Sequence, residues 1–434
     1  MRKNMARFRP VLIFTAVLVC LSSRSVRGSM VDIAPTSTGS DSEATPSDSS
    51  PDSTEQLGTG IFSPVPFKVS ISLRGGYDDN VSTSSTTFGK QGSTYTNGSV
   101  LANYDFGSPR TRLSLRLNAG GTYYWDTIRN AGGTNINNYD INNSVSLSLE
   151  HKATPRLTLS LAAFLAYKSE PDFTIAQGVD RRGGNYFFTE DKFGATYLWL
   201  PRFSTVTNYT LSVLNYDDSL IGQSSDRFEN ILGNEFRFLV WPTTTLVGEY
   251  RVQFVSYIHQ SGRDFTSQFA LGGLDHHFNP RLTGSVRAGA QFVNYDLGGS
   301  RSSPYFEGSL NYVLGKQTSV AWTNRYSIEA ADVSVSQSRE TFRTGLTARY
   351  DFTPRISGSL SAYYHHDDYQ NFNFGGTLTP GFTEDSFNTA ISLRYAVTRY
   401  FGVETGYSYT DVVSDIPLRQ YTRNSYWGGL NVTF

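Results

Sequence analysis

Cysteine is nearly absent from this 434-residue chain, which has one, Cys20. That excludes a disulfide-stapled fold and a thiolate zinc site. Charge is also scarce: Asp, Glu, Lys and Arg make up 17% of residues, against about 25% in globular proteins. Long apolar runs are missing too. The longest, Val11 to Leu21, falls short of the ~20 residues a spanning helix needs, which excludes a helical transporter. No sign of charge dominates, since the net charge is −1, so no global field favours nucleic acid. Missing as well are a Gly-rich strand-to-helix phosphate loop, a Gly-x-Ser-x-Gly elbow and a spaced Cys/His cluster. What is abundant is aromatic: 29 Phe, 27 Tyr and 5 Trp, or 14% of residues, with 39 Gly. The chain is short of the charge that covers a soluble surface, yet its mean hydropathy of −0.34 is too low for a helical membrane protein.

Residues 1–28 read as a secretory signal. Arg2, Lys3, Arg7 and Arg9 precede the apolar run from Val11, and the small residues Ser22, Ser23, Ser25 and Gly28 follow it. The bulk of Val19 before Cys20 argues against lipidation, and Cys20 would leave with the signal. Residues 29–64 read as a disordered acidic tether in the periplasm. Ser, Thr, Asp, Glu and Pro dominate it, and no Lys or Arg occurs between Gly28 and Phe67. It is too short to be a globular plug.

Residues 65–434 read as strand after strand. Val69, Ile71 and Leu73 alternate with Ser70, Ser72 and Arg74; Leu113, Leu115 and Leu117 alternate with Arg112, Ser114 and Arg116. The pattern returns up to Tyr426, Gly428, Leu430, Val432 and Phe434. Period two puts one parity on each face of a sheet. Runs of about 10–13 residues exceed soluble strands and suit a tilted membrane strand. Short connections alternate with long ones. The short ones share a chemistry: Gly107-Ser108-Pro109-Arg110, Ala153-Thr154-Pro155-Arg156, Pro201-Arg202, Trp241-Pro242-Thr243, Asn279-Pro280-Arg281, Gly315-Lys316, Thr353-Pro354-Arg355 and Thr398-Arg399. The long ones, such as Ser82–Thr96, Ser169–Asn185 and Asp367–Asp385, are rich in Gly, Asn, Ser and Asp.

This predicts an all-β fold, a transmembrane antiparallel up-and-down β-barrel with short periplasmic turns and long extracellular loops. The count is about 18 strands, or 16 if the weak hairpin Phe187–Asn215 is not one. A terminal aromatic on an alternating strand makes Phe434 the candidate signal for the barrel assembly machinery.

Strand parity then names the candidate sites. The parity opposite the apolar one carries Arg74, Arg112, Arg116, Arg237, Arg251, Arg287, Arg325, Arg343, Arg349 and Arg394, with Lys68 and Lys192. Its acids include Glu150, Glu235, Glu249, Glu307, Asp351 and Glu404, so bases outnumber acids about two to one by this parity count. Charge on the lipid face is costly, so these residues are assigned to the lumen. The set supports either ion-pair ladders bracing the wall or a field favouring anions. Aromatic-acid pairs recur where strands meet long loops: Tyr77-Asp78-Asp79, Trp125-Asp126, Tyr216-Asp217-Asp218, Tyr295-Asp296 and Asp367-Asp368. They read as an outer aromatic girdle with loop-initiating Asp above it. The pairs His276-His277 and His365-His366 cannot chelate one ion from one wall, since strand neighbours face opposite ways. No metal, cofactor or catalytic residue is expected.

The opening strand Val69-Ser70-Ile71-Ser72-Leu73-Arg74-Gly75-Gly76-Tyr77-Asp78-Asp79-Asn80-Val81, together with the signal, the tether and Phe434, resembles the bacterial outer-membrane family called putative β-barrel porin 2. The likeness covers residues 65–434. It implies an outer-membrane barrel, tied in some members to exopolysaccharide biosynthesis, and transfers no catalytic residues. The leading expectation is a porin-like channel for passive diffusion of small hydrophilic solutes, anionic ones among them, narrowed by Ser82–Thr96 or Asp367–Asp385. The alternative is a conduit or scaffold in an exopolysaccharide export system. Expected partners are outer-membrane lipid and lipopolysaccharide, the assembly machinery, and small solutes or polysaccharide. Self-association into an oligomer is compatible with all of these.

Overall fold

Alternation of exposed apolar and covered polar side chains marks strands such as the first, eighth and ninth of the long ones. In the first, Ile71 and Leu73 are exposed while Ser70 and Ser72 are buried. A soluble sheet buries its apolar parity; this one presents it outward, as a barrel in lipid must. The computed structural model describes residues 67–85, 89–128, 137–173, 184–314, 318–334, 336–374 and 377–434. The signal (1–28) and the tether (29–64) lie outside these residues.

The strands are β1 (Phe67–Asp78), β2 (Ser93–Gly107), β3 (Thr111–Tyr124), β4 (Tyr139–Lys152), β5 (Leu157–Lys168), β6 (Tyr186–Leu200) and β7 (Phe203–Tyr216). After a short helix, α1 (Ser219–Ser225), come β8 (Arg227–Trp241), β9 (Thr244–Tyr257), β10 (Phe265–Asn279), β11 (Leu282–Tyr295), β12 (Ser300–Leu314) and β13 (Thr318–Ala330). The last are β14 (Ser338–Thr353), β15 (Ile356–Tyr369), the small hairpin β16 (Phe372–Phe374) and β17 (Thr377–Thr379), then β18 (Phe382–Ala396), β19 (Phe401–Ser414) and β20 (Tyr421–Thr433).

Setting aside the small hairpin, 18 strands form one antiparallel sheet, each paired with its sequence neighbour. β1 pairs with both β2 and β20, from Ser70↔Thr433 to Asp78↔Ser425, so the sheet closes on itself. Phe434 completes the seam, donating its N–H to the Val69 carbonyl at 2.8 Å. Phe187–Asn215 belongs to a full ladder from Tyr186↔Tyr216 to Leu200↔Phe203, which settles the count at 18 rather than 16.

The short turns show why their chemistry repeats. Asn279 Oδ1 accepts the N–H groups of Arg281 and Leu282 at 2.8 and 2.9 Å. Thr154, Thr353 and Thr398 do the same for the second and third residues after them, through Oγ1. A side-chain oxygen thus satisfies the two donors that a tight hairpin leaves open. Exposed Trp199, Trp241, Phe278 and Phe352 girdle this rim; Tyr77, Tyr123, Trp125 and Tyr139 girdle the other.

Candidate functional site: the lumen wall and what crosses it

Most arginines assigned to the lumen are buried or half-buried, Arg112 and Arg116 being exposed, and the two sides of the lumen differ. From β8 to β15 the inner wall is a ladder of ion pairs. Arg237 bonds Asp275 at 2.5 Å and Glu235 at 3.0 Å. Arg287 reaches Asp275 at 2.8 Å, with Glu235 and Glu249 just beyond. Gly273 makes that reach possible: a Cβ there would collide with the Val286 carbonyl and lie 2.7 Å from Cδ of Arg287. Arg251 bonds Glu307 at 2.6 Å and also Glu249, while Glu307 accepts the Tyr305 hydroxyl. Glu329 gathers Arg343 (3.1 Å) and Arg325, with Arg339 beside it. Arg343 also meets Nδ1 of the buried His365 at 3.1 Å. Arg349 contacts Asp351 at 3.4 Å.

From β1 to β7 the inner wall is mostly hydroxyl and amide. Ser72 and Ser99 bond at 2.6 Å, Asn97 bonds Thr122, and Asn208 reaches towards β8. Its arginines keep more exposure: Arg116 touches Asn103 at 3.2 Å, and Arg112 faces Glu150 across the ladder. At the closing seam Arg74 bonds Glu404 at 2.6 Å, and Arg394 bonds Asn431 at 2.9 Å.

The acids change the parity count. Glu229, Asp275, Glu329, Asp367 and Glu384 all stand on the inward parity and are buried, so the two-to-one basic excess shrinks towards balance. Sequence periodicity could have found Glu329, four residues after Arg325. Asp78 and Asp367, placed at the outer rim by sequence, instead point inward from strand ends, 1% exposed each. Asp78 pairs with Arg423 and Asp367 with Arg339. The strands simply run further out than the loop-like composition indicates.

The other rim residues stay near the rim. Trp125 is exposed, and Asp126 accepts the Thr94 N–H. Asp217 accepts the Tyr167 hydroxyl at 2.5 Å, and Asp218 caps α1 through the Leu220 N–H. Tyr216 packs on Tyr186, while Tyr295 turns inward to Ser338. Asp296 follows β11, and Asp368 faces Glu340 in the ladder. Burial pushes the Asp79 carboxyl up, but hydrogen bonds from Asn424 and Lys90 outweigh it and hold Asp79 below its ordinary value. Among the described residues, no group of three His, Cys, Asp or Glu is placed to hold a metal ion.

The two stretches expected to narrow the lumen begin or end in the wall. Ser93–Thr96 belongs to β2, and Asp367, Asp368 and Asp385 belong to β15 and β18, so the ends of those stretches are wall. What crosses is the stretch after β5. Glu170 accepts Arg423 of β20 at 2.5 and 3.1 Å, and the Phe173 ring lies 5.8 Å from His365 of β15. In strand order β15 stands nearly opposite β5. A second stretch, after β13, is held at the mouth: Ala331 accepts Tyr257 and Arg263, and Asp332 accepts Arg419 and Tyr369. Composition alone says where a loop is, whereas direction rests on single anchors such as Glu170.

Solved structures give a broad likeness. The chain is similar to OpdK of Pseudomonas aeruginosa, solved with vanillate, at 12% identity, over 85% of this chain and 99% of that one, with a TM-score of 0.40. It is similar to Acinetobacter baumannii OccAB2 at 11% identity, over 85% and 98%, with a TM-score of 0.41. The P. aeruginosa siderophore receptor PirA follows at 9%, over 85% and 80%, with a TM-score of 0.38. No curated protein matches the chain. One family model matches residues 64–434, all of the described barrel, and it is the family that the opening strand resembles: the chain belongs to the family described as putative beta-barrel porin 2, and is an outer-membrane β-barrel.

Proposed function

We propose that the barrel is a passive outer-membrane channel for small hydrophilic solutes, with a modest preference for anions. The observation that carries this is the lumen parity itself. It is polar along strand after strand, with a hydroxyl and amide wall on one side and a charged wall on the other. Such a surface replaces part of a solute's hydration without binding it tightly. Lumen arginines paired with carboxylates add little net field; the anion preference rests on Arg116, exposed and bonded to the neutral Asn103. Its role is passage rather than catalysis. Phe434, exposed and aromatic at the closing seam, is the feature the assembly machinery would read.

Polysaccharide export has less support. Lumen-parity aromatics such as Tyr124, Tyr186 and Phe188 are buried in small clusters rather than presented in a file. The test is conductance in planar bilayers. Stable open steps are expected, with a reversal potential on the anion side in a KCl gradient that moves towards cations in R116S. Absence of conductance overturns the channel; cation preference in the unaltered protein overturns the anion clause.

A further inference from the structure

A closed barrel has no strand edges, yet this one has two short ones facing each other. β12 pairs with β11 from Ser300 onward, but with β13 only from Phe306↔Tyr326 to Leu314↔Thr318. Continuing that register would set Pro304 opposite Ile328 and Ser302 opposite Ala330. Instead Ser300–Tyr305 has a ladder partner on one side only, and so does Ser327–Ala330, which pairs with β14 alone. Pro304 supplies a cause. It is the one proline within a described strand, and proline cannot donate to a ladder, so it belongs at an edge.

The outer end of the β13–β14 hairpin has moved into the lumen. Ile328 and Ala330 share the parity of the exposed Trp322, so an unbroken wall would turn them to lipid. They are buried instead, against Val255, Phe265 and Val293, which are inward residues of β9, β10 and β11. The side-chain amide of Gln291 takes the place of the missing strand: its Nε2 donates to the Ile328 carbonyl at 2.9 Å, and its Oε1 accepts the Ile328 N–H at 2.8 Å. The gap is spanned by side chains. Arg301 of β12 bonds Glu340 of β14 at 2.6 Å, and the Tyr326 hydroxyl donates to the same carboxylate at 2.9 Å.

We propose that this seam between β12 and β13 is a latched lateral opening through which an amphipathic solute with an apolar body and one acidic group passes between lumen and outer leaflet. The inner side of the seam suits that chemistry. Phe269, Leu271 and Tyr305 form an apolar patch on the inner wall, and Arg251 donates to the Tyr305 hydroxyl at 3.1 Å. The outer side is apolar too, with Phe292 and Phe306 exposed on the lipid face. An acidic group entering the seam takes the place of Glu340 on Arg301, which releases the latch by exchange of one carboxylate for another. The inference rests on the channel reading, yet the two fail separately: conductance tests the channel, and access from the bilayer tests the seam.

The barrel has no cysteine of its own, so introduced thiols report cleanly. In folded protein, judged by heat-modifiable gel mobility, oxidant should link S309C/T323C, which are ladder partners, and should not link S302C/A330C. In proteoliposomes a bilayer-partitioned N-alkylmaleimide should alkylate Leu271→Cys. Adding Glu340→Ala should raise that rate several-fold, and adding Pro304→Val, which restores a ladder donor, should lower it. A thiol at Ser99, on the far wall, should respond to neither change. Ready disulfide formation in S302C/A330C overturns the seam. Equal Leu271→Cys rates in all three backgrounds, or the same rise at Ser99→Cys, overturns the lateral opening.

Discussion

The arcs β1–β7 and β8–β15 obey the same two-residue alternation and reach opposite solutions for the lumen. One lines it with Ser, Thr and Asn, whose hydrogen bonds are short-range and individually weak. The other lines it with buried arginines and carboxylates that share partners, as Asp275 joins Arg237 to Arg287 and Glu329 joins Arg325 to Arg343. Neutral hydroxyls lose less than charges on leaving water. Charges lose several kcal/mol each and recover it only when every partner is in place. The charged arc is therefore the rigid and vulnerable one, and the segments that enter the lumen dock against it at His365, Tyr257 and Gln291.

The sharpest way to break the comparison is Glu329→Ala. It leaves the buried Arg343 and the half-buried Arg325 without their shared carboxylate, and about 3–5 kcal/mol of stability should be lost, the usual cost of breaking a buried pair. Urea unfolding of the detergent-solubilised barrel measures it. A loss no larger than that of a wall serine would erase the distinction between the arcs. Next in size is Glu170→Ala, which frees the segment crossing from β5 from Arg423. The carboxylate is partly exposed, so the loss of anchoring should be about 1 kcal/mol. Its readout is a rise in single-channel conductance or current noise; an unchanged current trace would mean that this segment does not narrow the path.

Much of this was legible in the sequence because parity is a local signal. Val69, Ile71 and Leu73 against Ser70, Ser72 and Arg74 state which face meets lipid without knowledge of any other strand. The turns were legible for the same reason, as one Asn or Thr satisfies two donors within three residues. Two things were not legible. Partner identity is non-local: nothing near Arg287 announces that Gly273 clears its way to Asp275. And parity assumes an unbroken wall. Ile328 reads as a lipid-facing residue and would be one, had Pro304 not ended the ladder beside it.

On the hydroxyl arc, Ser72→Ala removes the bond to Ser99 and should cost about 1 kcal/mol or less, because water in the lumen can replace the lost partner. A larger loss in the same urea series would show that this wall is as tightly coupled as the other.

The smallest effect lies outside both walls, at the rim. Asp415 accepts the Thr383 N–H at 2.7 Å and its hydroxyl at 2.8 Å, fastening the connection after β19 to the start of β18. The backbone hydrogen bond from Thr383, then its hydroxyl, holds the Asp415 carboxyl below its ordinary value. A depressed carboxyl contributes above the unfolded-state pKa of about 3.9 and loses that contribution as pH falls through its lower folded value. Acidification should therefore loosen the Thr383 amide while the Ser72–Ser99 bond, which has no titrating partner, stays as it was. The measurement is the Thr383 exchange protection factor from about pH 6 down through the ordinary carboxylate range. Asp415→Asn should show lower protection throughout and no pH dependence of its own. Protection that falls equally in both proteins would place the acid-sensitive group elsewhere on the rim.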